Sequence, residues 1–180
     1  MSVKPETLES LLAKPLTAKL EVDPSLPGVR PPLPTAARDD SKKKLSERQK
    51  ARRMVLQALY QWQVARAPVS DIQAEFRSYY LGKIDWAYFH EVFPAIPPLV
   101  KELDAALEPM LDRRIDALDP VELSLLRYGM YELLHRIVVP YKVVINECVE
   151  LARVFGATDG HKYINGILDR AARSIRTLEV

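Results

Sequence analysis

The sequence predicts an all-α protein: a compact bundle of about seven helices in two packed subgroups. Three observations lead there. Apolar residues recur at helical spacing through most of the chain after residue 46, and no stretch shows the sustained alternation of a strand. Helix starts and stops are written out as capping residues and prolines. The six glycines fall where helices would end or touch one another, and no self-similar period of roughly 20–50 residues points to a solenoid.

Taken in order, residues 1–40 hold 7 of the 14 prolines and no aromatic residue. Such a segment buries too little apolar surface to offset the entropy of ordering it. The expectation is a disordered, Pro-rich N-terminal tail over 1–40, in which Leu8, Leu11, Leu12 and Leu16 make a marginal helical turn or two, followed by a helical domain over 41–180. Ser46 and Gln49 fit a capping box. After it Ala51, Val55, Ala58, Trp62 and Ala65 share one helix face, with Arg53, Gln57 and Tyr60 opposite and Arg48 and Arg52 in another row. That pattern buries Trp62 and presents arginines and a phenol to solvent. Pro68 ends this helix. A short helix over 71–80 turns Ile72 and Phe76 inward and closes at Gly82. Asp85 caps the next, with Trp86, Phe89, Phe93 and Ile96 in phase; Pro94, Pro97 and Pro98 split it into two pieces meeting near Pro97, after which Leu99, Leu103 and Leu107 resume the stripe. Asp119-Pro120-Val121-Glu122 then places a cap, a proline at the first helical position and an acid three after the cap. Leu123, Leu126, Met130, Leu133 and Ile137 follow at helical spacing, widened by Leu125 and Leu134, so this helix is buried on more than one side. Val139-Pro140 stops it, Gly156 stops its successor, and Thr158 or Asp159 caps a last helix with the stripe Ile164, Leu168, Ala171 and Ile175.

Composition excludes several classes. There is no run of about 18 apolar residues to span a membrane, and the first ten residues lack the apolar core of a secretory signal, so a cytoplasmic protein is expected. The single cysteine, Cys148, sits on an apolar helix stripe and reads as a packed thiol. His90, His135 and His161 pair with nothing at metal-ligand spacing, and there is no phosphate loop or nucleophile elbow. We therefore expect no enzyme, no metal and no cofactor. Net charge is only +2, but residues 1–53 hold 12 Lys/Arg against 7 Asp/Glu, so the basic excess lies near the start of the helical region. Local patches of this kind steer polyanions even when the total is near neutral.

Residues 158–166 hold the densest binding chemistry. A cation (Lys162), an aromatic ring (Tyr163) and a side-chain amide (Asn165) fall within four positions at the start of a helix. Single-stranded RNA is held by such groups: charge for the backbone, a flat face for stacking, an amide for base edges. The same spacing also suits a capped helix with an interfacial tyrosine.

LLRYGMYELL, VPYKVVINECVELARVFG and GHKYINGILD, in that order and with ARRMVLQALYQWQ upstream, resemble the signature blocks of the NusB family of bacterial transcription antitermination factors. The resemblance covers roughly residues 46–177. It implies a helical, non-enzymatic protein that binds single-stranded boxA-type RNA together with NusE, the small-subunit ribosomal protein, and so acts indirectly on the RNA polymerase antitermination complex at ribosomal RNA operons. The positions matching the family's RNA surface are Arg48, Lys50 and Arg52 in the first block and Phe155, Asp159, Lys162 and Tyr163 in the last. Those matching the NusE surface are Tyr60 and Glu122, although Glu122 equally fits a first-turn capping acid. Arg127 and Glu132 read as structural, since charges within a helical core need internal partners. Arg53 stands where the family usually has an acid, and the 1–40 tail lies outside the resemblance. The resemblance also admits a homodimer that covers the RNA face. Two rival expectations are a NusB-like protein-interaction module without RNA, and the RNA-targeting domain of a ribosomal RNA methyltransferase whose catalytic domain is missing.

Overall fold

The computed structural model describes residues 45–80 and 82–179. The expected disordered tail over 1–40 lies outside them. Among the described residues there are six α-helices: α1 (Glu47–Ala65), α2 (Val69–Tyr79), α3 (Trp86–Leu107), α4 (Pro120–His135), α5 (Tyr141–Phe155) and α6 (Gly160–Ile175). Two 3-10 turns, Glu108–Met110 and Ile115–Ala117, connect α3 to α4. The two subgroups are α1–α3 and α4–α6, and α4 is the hinge of the packing: it touches α1 and α3 on one side, α5 and α6 on the other.

The start signals work as the sequence expects. Ser46 Oγ accepts the Gln49 amide and Gln49 Oε1 accepts the Ser46 amide, each at 3.1 Å. Asp119 Oδ1 takes the Val121 amide at 2.9 Å, with Pro120 filling a position whose amide would have no partner. Asp85 Oδ1 takes the Tyr88 amide at 3.0 Å. α1 ends one residue before Arg66, which adopts the left-handed conformation at φ 55° and donates its amide to Trp62 O at 2.9 Å.

Four expectations are corrected. The prolines at 94, 97 and 98 do not split α3, which runs unbroken from Trp86 to Leu107. They remove three donors from the helix ladder, but they sit on its less buried side, where water reaches the freed carbonyls. The buried stripe of Tyr88, Phe89, Val92, Phe93 and Ile96 continues into Leu103 and Leu107, and that packing holds both halves in one register. α1 has no broad solvent face. Gln57 and Tyr60 are buried together with Ala51, Met54, Val55, Ala58 and Leu59, because α1 is enclosed by α2, α3 and α4. Trp62, expected inside, is only half-buried. Ile137 is 72% exposed, since α4 stops at His135 before its stripe reaches that position.

Gly129 lets α6 approach α4. A Cβ there would lie 2.8 and 2.9 Å from the two methyls of Leu168 and 3.2 Å from Cys148 Sγ. Cys148 is buried and burial pushes its thiol well above the usual range, which suits a packing role. The far end of α4 is closed by Arg176. Its buried guanidinium donates to the carbonyls of Leu133 (2.7 Å), Glu132 (3.1 Å), Arg136 (3.1 Å) and Ile137 (3.2 Å), and it pairs with Glu179. Helix ends leave their last carbonyls without partners; here one side chain supplies them.

Leu126 is fully buried in α4, so Leu126→Ala is expected to cost about 2–5 kcal/mol in chemical denaturation. Arg176→Ala takes the guanidinium from all four carbonyls, of which Glu132 O and Arg136 O keep the amides of Arg136 and Val139 while Leu133 O and Ile137 O lose the donor described for them, and should cost on the order of 3 kcal/mol. Arg173→Ala, an exposed pair with Asp169, should change stability by less than about 1 kcal/mol.

Candidate nucleic-acid interface

α6 begins in a tight turn. The Gly160 amide donates to Ala157 O at 3.0 Å and the Lys162 amide to Asp159 O at 3.1 Å. With those amides already taken by backbone carbonyls, Asp159 occupies the cap position without capping: no side-chain hydrogen bond reaches the helix. This corrects the expectation of a capping aspartate. The carboxylate instead pairs with Lys162 Nζ at 3.0 Å, and both side chains are about three-quarters exposed, at 75% and 73%. An exposed pair of this kind is weakly held, so Lys162 is available to another anion.

Tyr163 is held by residues the sequence reading did not nominate. Its hydroxyl donates to Asp112 Oδ1 at 3.0 Å, and the Arg113 guanidinium lies over its ring, 4.9 Å from the centroid. Arg113 in turn grips Asp112 through two bonds, at 2.8 and 3.1 Å. The bonds from Arg113 and Tyr163 hold the Asp112 carboxyl down at about 2, while partial burial and the bond to Asp112 push the Tyr163 phenol up. In the sequence, 112–114 is a polar connector without periodicity; nothing local to it foretells that it folds back onto α6.

Phe155, half-buried at the end of α5, lies just before the turn that leads to Asp159. Beneath α6, Glu122 packs so closely under Gly160 that a Cβ there would sit 3.1 Å from Glu122 Oε1. Burial, then Asp119, raises the Glu122 pKa above the ordinary value. Tyr60, the other residue nominated for the partner surface, is only 6% exposed; its hydroxyl has no hydrogen-bond partner among the described residues, and burial and Asp119 raise its pKa too. Both residues thus feel Asp119 at the start of α4.

The basic row of α1 lies elsewhere. Arg48 is exposed, bonds Asp85 Oδ2 at 2.8 Å and covers the Tyr88 ring at 4.5 Å. Lys50 Nζ donates to Lys83 O at 3.2 Å. Arg52 is 7% exposed, 3.6 Å from Glu147 and 5.5 Å over the Tyr88 ring, so it faces inward, not toward solvent. Burial alone would lower its pKa, but Tyr128, Tyr88, Glu132 and Glu147 together raise it, and the guanidinium stays charged. These groups surround the C-terminal part of α4, whereas Glu122 and Gly160 mark its start. Ten residues of helix separate Glu122 from Glu132, so the two halves of the candidate surface stand roughly 15 Å apart along α4. Asp159 and Lys162 pair at the start of α6 beside Tyr163, and Phe155 lies at the end of α5 just before that turn; among the described residues Arg48 and Lys50 make their contacts elsewhere. Among the described residues no His, Cys, Asp and Glu group has the makings of a metal site, and no helix of the described residues is long and apolar enough to cross a membrane.

Glu122 is expected to leave a pH signature. A folded-state pKa raised above 4.5 means that its contribution is fully present below the unfolded value and lost as pH rises through the folded one. Glu122→Gln and wild type should therefore be equally stable near about pH 4, with the variant gaining on wild type toward about pH 7, as read by urea midpoints across that range.

Residues 49–173 match the model of the NusB family. The transcription antitermination protein NusB of Pseudomonas putida is 47% identical over 152 residues, which is 84% of this chain and 90% of the relative. Its counterpart in Alcanivorax borkumensis is 53% identical over 135 residues, 74% of this chain and 90% of the relative. Among solved structures, T. maritima NusB superposes with a TM-score of 0.63 at 26% identity, covering 73% of this chain and 93% of its own. The fold is shared as well with a complex of the antitermination factors NusB and NusE with double-stranded RNA, at a TM-score of 0.65 and 22% identity over 73% of this chain and 99% of that one. Family match, relatives and fold agree, and the chain belongs to the NusB family of transcription antitermination proteins, not to a family of enzymes.

Proposed function

We propose that this protein binds single-stranded boxA-type RNA together with NusE in the cytoplasm, and through that complex supports processive transcription of ribosomal RNA operons by RNA polymerase. The observation that carries the RNA part is the joint presentation of Lys162 and Tyr163 at one turn. Among the described residues Lys162 is held by an exposed carboxylate alone, and Tyr163 offers an aromatic ring fixed by its hydroxyl. A cation for the backbone beside a ring for a base is the minimal chemistry of single-strand binding. Phe155 adds a half-buried ring at the end of α5, just before the same turn.

Arg48 and Lys50 extend the proposed surface toward the far end of α4. A strand touching both halves has to run the length of that helix, so contacts at α1 add affinity without reading bases. Arg52 contributes from within, by holding Tyr88 beneath Arg48. For the partner, Glu122 offers a half-buried carboxylate near the surface, with Tyr60 behind it. A carboxylate that is kept partly desolvated binds a donor from a partner more strongly than a fully hydrated one does.

The test is fluorescence anisotropy of a labelled boxA-like RNA of about a dozen nucleotides, with and without purified NusE, at two salt concentrations. Affinity should rise with NusE and fall with salt. Tyr163→Ala is expected to lose about 1–3 kcal/mol of RNA binding and Lys162→Ala to weaken binding and lower its salt dependence, both without loss of folded structure by circular dichroism. RNA affinity unchanged in both variants would remove α6 from the site.

A further inference from the structure

The 3-10 connector between α3 and α4 is anchored against α6 in two places. Arg170 donates to Met110 O at 2.7 Å, and Asp112 accepts the Tyr163 hydroxyl. Around these anchors Leu111 and Ile115 pack onto the core while Asp112, Arg113 and Arg114 remain exposed. Arg113 therefore stands over the ring that the RNA reading assigns to base stacking, on a backbone that is itself fixed. Its side chain is half exposed; among the described residues the exposed carboxylate of Asp112 and the ring are its direct contacts, with Glu122 adding a weaker attraction.

We propose that the connector is a further wall of the RNA site, and that Arg113 is a phosphate-binding residue which Asp112 parks on Tyr163 until a base arrives. This rests on the reading of Tyr163 as a stacking residue. A guanidinium on an exposed ring is held more weakly than a stacked base, and an exposed ion pair exchanges readily for a phosphate, which accepts the same two-pronged grip from arginine. Stacking of a base on the covered face displaces Arg113 by a few ångströms; the strand that carries the base brings a phosphate within its reach. Asp112 is then a competitor in the free protein, occupying the arginine in the way the phosphate does in the complex. The arrangement disfavours backbone-only binding, because a polyanion that does not also stack a base must break the Arg113–Asp112 pair without compensation at the ring.

The experiment is anisotropy titration of the full chain with a labelled single-stranded dodecamer across a series of salt concentrations, for wild type, Arg113→Gln, Asp112→Asn, the double variant and Arg173→Gln. Arg113→Gln should weaken binding about fivefold at ~0.1 M salt and reduce the slope of log affinity against log salt by about 0.7, the loss of one phosphate contact on a single strand. Arg173→Gln, an equal change of charge at the other end of α6, should leave the slope as it is. Asp112→Asn should tighten binding roughly two- to fivefold, and that gain should vanish in the Arg113→Gln background. An unchanged slope in Arg113→Gln overturns the proposal. So does a gain from Asp112→Asn that persists without Arg113, which would make Asp112 a simple repulsive charge. Wild-type binding that is absent or indifferent to salt overturns the RNA reading itself, and the connector falls with it.

Discussion

A carboxylate with no exposure sits in the middle of this bundle. Glu132 accepts a hydrogen bond from the Tyr88 hydroxyl at 2.5 Å, and Tyr88 and Tyr128 share another. Arg136 Nε lies 3.7 Å from the same carboxylate oxygen, and Arg52 reaches toward the group from α1. Through these contacts one charge joins α1, α3 and α4, and the Arg52–Glu147 pair adds α5. Removing a carboxylate from water costs several kcal/mol unless its partners are in place. Any alternative packing that withdraws one of those helices strands the charge, so the network selects one arrangement of helices among the many that would bury the same apolar area. The aromatic contacts of α2 and α3, Phe76 on Phe89 at 5.5 Å and Phe89 on Phe93 at 5.7 Å, can then settle around a fixed frame.

The same network shapes the basic end of the molecule. Three guanidinium groups, Arg48, Arg136 and Arg52, surround the Tyr88 ring at 4.5, 5.2 and 5.5 Å. Only one of them, Arg48, reaches well into solvent. What reads in the sequence as a run of surface cations is therefore a graded cluster, in which the inner arginines balance a buried acid and the outer one is left to meet polyanions.

Helix class and most helix starts were legible because they depend on local signals: the Ser46–Gln49 box and the Asp85 and Asp119 caps; the end of α4 was not, since the helix stops at His135, ahead of the proline expected to break it. The unbroken α3 was not, because the proline rule is local while the packing that overrides it comes from α1 and α4. Burial around α1 was also hidden. Gln57 and Tyr60 look polar or amphipathic in sequence, and only the enclosing of α1 by three helices turns them inward. For the site, residue types alone drew attention to the turn at 155–163, where Asp159 and Lys162 pair at the start of α6 and Tyr163 follows them. Arg113 and Asp112 escaped because their partner, Tyr163, lies 51 positions away in the chain. Asp159 stands at the cap position without capping for a subtler reason: backbone carbonyls already accept the amides of Gly160 and Lys162.

Arg176 has a bearing on how the protein is made. The carbonyls it closes belong to residues 132–137, and Arg176 lies 44 positions beyond Glu132. At about 5–20 residues per second a ribosome adds that stretch over several seconds, an interval far longer than a helix needs to form. Until it ends α4 lacks its terminal cap, and until α6 is made it also lacks the Leu168 methyls that lie over Gly129, although α1 and α3 precede it in the chain. The nascent chain thus passes through a window in which its central helix exists with its enclosure incomplete.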